Sequence, residues 1–330
     1  MILSTLRATA DRPFDLLGLG ESSIDLVYRL PVLLHQTLPS KVSALAHEVL
    51  SGGQIATACT AAARLGKRVR FAGAIGMDDA GQALLNELSE EGVDTSFVRR
   101  CEGAKTRSAV LLCDKTGERS VVEWRDPALS FSADFLSDEA LAKTRVLHVD
   151  LCFPTASVAA AKRARDLGVL VSVDLDRPLP LVEELLALTD LCVVSEAFPT
   201  LLTGHSDGEK AVRALSKKTN GKVIVTLGAR GCWFLQQQAL RTLPAFAPPT
   251  LVDTTACGDT FHAALVCALL DAAGQTAPKT DVRADDEAAL LSAIRFASAA
   301  AALKCGDFGR RGCPTLPQVL RFLGTFDGAI

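Results

Sequence analysis

The residues whose types and spacing are best suited to chemistry lie at 253–261, in the stretch Asp-Thr-Thr-Ala-Cys-Gly-Asp-Thr-Phe. The segment that follows, 262–273, is almost wholly apolar and predicts a buried helix. The first amide groups of a helix lack an internal partner, and the helix dipole attracts anions to them. Three small residues would let an anion approach these amides: Ala256, Cys257 and Gly258. Asp259 would place a base beside it.

The same stretch also has an ordinary structural interpretation. Aspartate is common in the first turn of a helix, and Asp-Thr-Thr is a usual composition for a helix cap. On residue types alone, an anion site with a base and a plain helix N-terminus are about equally well supported.

The composition indicates an ordinary globular protein. The chain has 330 residues, of which 48% are hydrophobic and 22% charged, enough for a large core in one α/β domain or two smaller ones. The net charge of −3 gives no sign of a nucleic-acid surface or a polybasic membrane patch.

Neither a membrane span nor a signal peptide is expected. No uninterrupted apolar run reaches about 18 residues, and the N-terminus lacks a charged region followed by an apolar one. The 10 cysteines include no Cys-x-x-Cys pair and lie mostly in apolar runs. That usage favours reduced thiols in a cytoplasmic protein.

The middle of the chain predicts alternating strands and helices. Strands are expected near 145–150, 169–174, 191–195 and 222–227, with helices near 155–167, 181–189 and 207–219. This alternation indicates right-handed βαβ units, and hence an α/β fold in three layers: a mostly parallel central sheet with helices on both faces. Residues 14–19 predict a buried first strand, and residues 1–12 a loose tail.

Two segments are expected to leave the main sheet. Residues 27–50 have poor helical periodicity, and 108–113 and 119–124 flank Asp-Lys-Thr-Gly at 114–117, a good hairpin signal. We therefore predict a single domain over residues 1–330, with a small β-sheet lid formed by about 27–50 and 101–126.

Other polar residues have less specific contexts. Asp25 follows the first strand, at the edge where ligands of open α/β sheets bind, although aspartate there is often only a turn residue. His148 in an apolar strand and His262 in the apolar helix are expected to be core residues. The chain has neither a Gly-x-x-x-x-Gly-Lys-Ser/Thr loop nor a Gly-x-Ser-x-Gly elbow, which argues against P-loop enzymes and α/β hydrolases.

Residues 253–261 resemble the second signature of the ribokinase-like (PfkB) carbohydrate kinase family, D-T-x-G/A-A-G-D-x-F. The matching residues are Asp253, Thr254, Ala256, Gly258, Asp259 and Phe261. Cys257 replaces the usual alanine, which keeps the side chain small. The resemblance implies the fold of that family and gives Asp259 the role of catalytic base.

The resemblance extends in order from Asp15 to Pro314 and implies a sugar site. Residues 51–58 are similar to the diglycine signature that holds the sugar, with Gly52 and Gly53 in place. Thr57 stands where the family usually has asparagine, and it can still hydrogen-bond a hydroxyl. Asp25 matches the aspartate that grips sugar hydroxyls.

The nucleotide would lie on three other stretches. Residues 226–231 resemble the T-x-G-x-x-G nucleotide loop, which assigns Thr226, Gly228 and Gly231 to it. The segment 297–304 looks like the helix that flanks the adenine, and the residues it contributes are Ala297, Ala300 and Lys304.

The third stretch departs from the family. Ser195 and Phe198 occupy the two named places of the N-x-x-E motif that supports magnesium and phosphate, so the motif is broken. Glu196 could serve instead, although a glutamate at a helix N-terminus is equally ordinary.

The resemblance implies an ATP-dependent sugar kinase that uses Mg²⁺. Asp259 would accept the proton of a primary hydroxyl, while the amides of residues 256–258 stabilise the transferring phosphoryl group. Asp253 and carbonyl groups of the loop 305–313 would hold a monovalent cation, K⁺, as in several relatives. Lids of this family often form dimers, so a homodimer through the lid is expected.

The acceptor is less constrained. We expect a ketose or ribose-like sugar first. An acidic sugar comes next, since Arg107, Arg119 and Arg125 lie in or beside the lid and could pair with an anionic group of the substrate. Arginines on an exposed hairpin are also usual on a solvated face. A nucleoside is the alternative within kinases, although few aromatic residues are available to stack on a base. A catalytically silent nucleotide-binding regulatory protein is a second class, which the altered motif at 195–198 keeps open.

Overall fold

The computed structural model describes residues 2–31, 42–114, 119–274 and 282–327. The α-helices in these ranges are α1 Ile2–Ala8, α2 Gln54–Arg64, α3 Asp79–Glu90, α4 Asp138–Ala142, α5 Pro154–Asp166, α6 Val182–Ala187, α7 Ala197–Thr203, α8 Gly208–Ser216, α9 Cys257–Gly274, α10 Val282–Lys304 and α11 Leu316–Asp327. The strands are β1 Phe14–Leu19, β2 Ser23–Arg29, β3 Ala46–Gly52, β4 Val69–Gly76, β5 Asp94–Cys101, β6 Ser108–Cys113, β7 Arg119–Trp124, β8 Thr144–Val149, β9 Leu170–Leu175, β10 Leu191–Ser195, β11 Lys222–Thr226, β12 Cys232–Gln236 and β13 Ala239–Leu243. Short 3₁₀ helices lie at Ala133–Phe135, Gly228–Arg230 and Gly309–Gly312.

The main sheet contains nine strands in the order β13-β12-β11-β10-β9-β8-β1-β4-β5. Neighbours from β11 to β5 pair in parallel, and β12 and β13 extend the sheet in antiparallel pairing. The predicted mostly parallel sheet is confirmed. β5, at one edge of the sheet, is not among the predicted strands.

Both faces of this sheet are buried. Leu16 of β1 belongs to the apolar cluster that contains residues of α1, α2, α9 and α10, whereas its neighbour Leu17 belongs to the cluster with residues of α5, α6 and α8 on the other face. Successive residues of a strand point to opposite faces, so an uninterrupted apolar strand needs helices on both sides. The predicted three-layer arrangement is therefore also confirmed.

α9, whose first turn carries the candidate chemistry, is a deeply buried helix. Its residues from Thr260 to Leu270 are buried apart from Ala268, and it packs against α10, α2 and α1. His262 on this helix and His148 on β8 are 3% and 1% exposed, as expected for core residues. Within the described ranges, no helix is both long and apolar enough to cross a membrane.

A second sheet brings the two predicted lid segments together. Its order is β3-β2-β6-β7, with β2 and β6 parallel and the outer pairs antiparallel. Residues 32–41 and 115–118, the latter including most of the predicted hairpin turn, lie outside the described residues. That this sheet acts as a lid stays a prediction.

The expected loose tail is wrong, because residues 2–8 form α1. Leu3 and Leu6 are each 1% exposed, and the Leu3 amide donates to Asp286 Oδ1 at 3.0 Å. Arg7 forms an ion pair with Asp285 at 2.9 Å. These partners are far away in the sequence, so a local pattern cannot show that the segment packs on α9 and α10.

Candidate active site

The turn before α9 is held in a strained conformation. Ala256 has a φ of 66°, in the left-handed region, which costs an L-residue roughly 1–2 kcal/mol. Its carbonyl accepts hydrogen bonds from the Thr260 amide at 3.0 Å and the Thr260 hydroxyl at 2.8 Å. Asp253 Oδ1 accepts from the Thr255 amide at 2.9 Å. Contacts on both sides therefore fix where the helix begins.

The first turn of α9 is accessible at this point. Gly258 is exposed, and a Cβ added to it would meet no atom within 4 Å. Asp259 is partly exposed and Cys257 is half-buried. The amides of a first turn have no carbonyl within the helix to bond, and the Cys257 amide donates outside it, to the Thr254 carbonyl at 3.4 Å. The arrangement can receive an anion with a base beside it.

A pair of thiols lies beneath the same turn. The Sγ atoms of Cys257 and Cys305 are 3.4 Å apart. The hydrogen bond from Cys257 lowers the pKa of the Cys305 thiol to about 7, and the same bond, together with burial, raises the pKa of Cys257. These contacts join the start of α9 to the loop 305–313.

The diglycine segment and the β1–β2 turn meet in van der Waals contact. Gly53 has a φ of 94°, and a Cβ there would lie 2.5 Å from Ser22 Cα. A Cβ on Gly52 would lie 2.0 Å from Asp25 Oδ2. Only glycine permits this approach. Three predicted sugar-binding residues are thus brought together.

Asp25 is a poorly solvated carboxyl. Burial raises its pKa above the usual range, although the hydrogen bond from the Ser23 hydroxyl, at 2.7 Å, acts to lower it. Thr57 lies one turn along α2, where its amide donates to the Gly53 carbonyl at 2.9 Å. At 2% exposure Thr57 offers almost no surface to a ligand, so its predicted sugar contact is not available in this structure.

A polar pocket of about 370 Å³ lies between the carboxyl edge of the main sheet and the small sheet. Its charged and polar lining includes Glu21, Gln54, Arg107, Glu123, Arg125 and Asp174. Asp174 Oδ2 is 3.1 Å from Nδ1 of His262, which lies one turn beyond Asp259 on α9. The pocket is therefore close to the first turn of α9.

The arginines of this pocket are not a solvated face. Arg107 is 11% exposed at its side chain and forms ion pairs with both Glu21 and Glu123. Arg125 donates to the carbonyls of Cys152 and Leu129 and lies over the Phe153 ring, 4.5 Å from its centre. The Arg119 side chain lies outside the described residues.

Two acids in or behind the pocket were not predicted from the sequence. Burial raises the pKa of Glu21 to about 8 and that of Asp150 to about 7. Asp150 accepts hydrogen bonds from the amides of Glu21 at 2.9 Å and Cys152 at 2.8 Å. Both acids follow the ends of adjacent parallel strands, β1 and β8, and that position was the available signal.

Arg310 was also missed. It is 2% exposed, and its Nε donates to Glu87 Oε1 at 2.7 Å. Neither Nη atom has a hydrogen-bond partner among the described residues. Its charge acts to lower the pKa of Asp25, so the sugar-binding segment has a buried cation near it.

A buried cluster has the side-chain types of a metal site. Ligand atoms of His148, Asp174 and His262 lie within 4.8 Å of one another. His148 Nδ1 is 3.2 Å from the Ser172 hydroxyl, and burial lowers the pKa of His148 to about 4. His148 Nε2 and His262 Nδ1 are buried and have no hydrogen-bond partner among the described residues.

A separate cleft of about 700 Å³ lies at the ends of β10 and β11. Four residues predicted at the nucleotide line it: Ser195, Glu196, Thr226 and Gly228. Ser195 and Thr226 are partners in the register of the two strands. Glu196 forms an ion pair with Arg230. Gly231, also predicted there, follows the short 3₁₀ helix at Gly228–Arg230.

The remaining predicted nucleotide residues are placed elsewhere. Ala297, Ala300 and Lys304 are each 0% exposed. They lie on α10, which packs along α9, so their side chains belong to the interior. That this helix flanks the adenine stays a prediction.

Known proteins resemble this chain over most of its length. The model of the pfkB family carbohydrate kinase matches residues 16–316. A ribokinase from Haemophilus influenzae is 31% identical over 315 residues, covering 92% of this chain and 97% of that protein. Fructokinase-1 from Zea mays is 31% identical over 292 residues, covering 82% of this chain and 88% of that protein.

Solved structures share the fold. Arabidopsis thaliana ribokinase complexed with ribose and ATP has a TM-score of 0.76 at 25% identity, covering 94% of this chain and 98% of that one. Fructokinase with bound ATP from Xylella fastidiosa has a TM-score of 0.76 at 26% identity, covering 95% and 99%.

The protonation of Glu21 leads to a prediction about stability. Its pKa of about 8, against an ordinary 4.5, means that unfolding releases a proton between these pH values. The free energy of unfolding should therefore fall as pH rises from about 5 to about 8. Glu21→Gln cannot ionise, so it should lose part of this slope in urea titrations across that pH range.

Glu102→Gln, at an exposed position, is the matched control and should keep the wild-type slope. Equal slopes for wild type and Glu21→Gln would contradict the assignment of the proton to Glu21.

Proposed function

Because the chain belongs to the pfkB family of carbohydrate kinases, we propose that it transfers the γ-phosphate of ATP to a primary hydroxyl of a ketose or ribose-like sugar. The observation that carries this proposal is the first turn of α9. Its first amides have no carbonyl partner within the helix, Gly258 has open space beside it, and the partly exposed Asp259 follows directly. An anion cradle with an adjacent base is what phosphoryl transfer to an alcohol requires.

Asp259 acts as the general base. It accepts the proton of the acceptor hydroxyl as the oxygen attacks phosphorus, which makes that oxygen a better nucleophile. The amides of Ala256, Cys257 and Gly258 stabilise the charge on the transferring phosphoryl group. The backbone strain at Ala256 suits this role, since a fixed turn does not have to reorganise during the reaction.

The cleft at the ends of β10 and β11 holds the nucleotide. Ser195, Thr226 and the glycine-bearing loop at 226–231 supply its polar lining. Mg²⁺ neutralises phosphate charge when bound, and it prefers oxygen ligands and retains water. Glu196 offers carboxylate oxygens as ligands for Mg²⁺. Its ion pair with Arg230 connects it to the loop at 226–231.

The polar pocket holds the acceptor. Gln54, which directly follows Gly52 and Gly53, lines the pocket, and the carboxylates at the sheet edge can accept hydrogen bonds from sugar hydroxyls. Arg107 is paired with the carboxylate of Glu123 and contacts Glu21 as well, which supports a neutral polyhydroxylated acceptor. Arg125 donates to two carbonyl groups and forms no ion pair among the described residues, which leaves an acidic sugar as the second choice.

The small sheet acts as a lid. Arg107 and Glu123, at the start of β6 and on β7, reach into the acceptor pocket and form an ion pair there. A sheet in this position excludes water from the transferring phosphoryl group and so limits hydrolysis of ATP.

Two other functions remain candidates. A nucleoside kinase is disfavoured because, among the described residues, no aromatic side chain lines the polar pocket. A catalytically silent nucleotide-binding regulator is favoured by the altered motif at 195–198 and disfavoured by the open position of Asp259.

The small sheet also supports a homodimer. Val49 on β3 and Val122 on β7 are 57% and 63% exposed, and Trp124 is 49% exposed. An apolar surface of this kind suits association with a second copy.

All ten cysteines are free thiols, which supports a reducing compartment, the cytoplasm.

Asp259→Asn should reduce turnover by roughly 10²- to 10⁴-fold, the usual contribution of a general base, and leave ATP affinity nearly unchanged. Steady-state kinetics and calorimetric titration with ATP measure the two quantities. Asp271→Asn, at an exposed position further along α9, is the control and should retain turnover. Unchanged turnover in Asp259→Asn would reject Asp259 as the base.

A coupled ADP-release screen over ketoses, aldoses, sugar acids and nucleosides tests the acceptor class. We expect the highest kcat/KM with a ketose or ribose-like sugar. A nucleoside as the best acceptor would favour the alternative kinase, and no turnover with ATP still bound would favour the silent regulator.

Val122→Lys should shift a dimer to the monomer, because it places a charge in the proposed interface. Light scattering after gel filtration measures the mass. Leu320→Lys, which replaces a leucine 55% exposed on α11, should stay dimeric. A monomeric wild type would exclude the dimer.

A further inference from the structure

The side chain of Lys304 occupies the position that the sequence assigned to a monovalent cation. Its Nζ donates to the Asp253 carbonyl at 3.0 Å and the Asp307 carbonyl at 3.0 Å, and lies 3.3 Å from Asp253 Oδ2. Carbonyl and carboxylate oxygens of this kind are also the ligands that hard cations prefer. An ammonium has three N–H donors, and three oxygen atoms receive them here.

The lysine is fixed in this position. It is 0% exposed and is the last residue of α10, where the helix dipole favours a cation. Gly312 packs against it: a Cβ there would lie 3.3 Å from Lys304 Cε and 2.5 Å from the Lys304 carbonyl oxygen. The ammonium therefore has no alternative place to go without moving the loop 305–313.

Asp253 is fully engaged by the same arrangement. Oδ1 accepts from the Thr255 amide at 2.9 Å and Oδ2 from the Gly309 amide at 2.9 Å. Burial acts to raise the pKa of Asp253, but the Lys304 charge and these two amides outweigh it and hold the pKa below its usual value. The carboxylate is thus already compensated by one positive charge.

K⁺ does not fit beside this lysine. A second cation bound to the same oxygens would lie within a few ångströms of the ammonium, in a part of the protein without bulk water, where like charges repel strongly. The expectation that Asp253 and the 305–313 loop bind K⁺ is therefore not supported by the residues present.

We propose that the Lys304 ammonium replaces the monovalent cation in this chain, and that the protein needs no K⁺ for stability or turnover. Lys304 is a positioning residue: it holds Asp253, and Asp253 holds the turn that carries the anion-binding amides. The part of the proposal that concerns turnover rests on the proposed kinase function. The part that concerns stability does not.

The test compares wild type with Lys304→Ala in tetramethylammonium, sodium and potassium chloride at equal ionic strength. We expect the wild-type melting temperature and turnover to be the same in all three salts. Lys304→Ala opens the site and leaves Asp253 without its partner. We expect it to melt lower in tetramethylammonium chloride and to regain stability in K⁺ or NH₄⁺, which are small enough to enter.

Turnover of Lys304→Ala should fall by roughly 10- to 100-fold in tetramethylammonium chloride, the range seen when a group that orients a site is lost, and K⁺ should restore part of it. Lys67→Ala removes a different lysine that is paired with an aspartate, Asp271, and should show no dependence on the cation.

Activation or thermal stabilisation of the wild type by K⁺ would overturn the proposal, and that measurement needs no variant to fold. A folded Lys304→Ala that responds to no cation would overturn it as well. If no acceptor is phosphorylated at all, the proposed function fails, while the melting temperatures still decide the question of the cation.

Discussion

The structure depends on the burial of one apolar helix whose first turn is left open. α9 packs against α10, α2 and α1, so its axis is fixed by apolar contacts over most of its length. Its N-terminus has no freedom to adjust, and the left-handed Ala256 absorbs the change of direction. The positions of Asp259 and of the first-turn amides are therefore set by packing contacts further along the helix. The packing of the core, rather than contacts within the site, therefore preorganises these groups.

The edge of the main sheet sets a second constraint. Parallel strands end at the same edge, so the acids that follow them converge: Glu21 after β1, Asp150 after β8 and Asp174 on β9. Buried like charges repel, and burial disfavours their ionised forms. Arg107, from the small sheet, supplies the compensating charge. The small sheet thus contributes electrostatically to the pocket that it covers.

Much of the fold and of the site could be predicted from the sequence, because local signals determined it. Alternating apolar strands specified the parallel sheet, and small residues before an apolar segment specified the start of α9. Gly52 and Gly53 were assigned from the resemblance to the family's diglycine signature, and the close approach to Ser22 and Asp25 is the physical reason for glycine at both positions. What escaped prediction depends on long-range contacts. α1 is a helix because it packs on α9, Lys304 is interior because its partners are Asp253 and Asp307, and Arg310 is buried against Glu87.

Short connections lead into β2 and out of β3 of the small sheet, whereas the links from β5 to β6 and from β7 to β8 are longer. β1 ends at Leu19 and β2 begins at Ser23, while β3 ends at Gly52 and α2 begins at Gln54. In the proposed lid, a tilt of the small sheet would bend the chain at these few peptide units as well as in the two longer links. Asp25 and Gly52 lie on the paired strands β2 and β3, beside these short connections. In the proposed lid, an acceptor that contacts Asp25 would therefore bear directly on the strands that move, so that recognition and closure would be coupled.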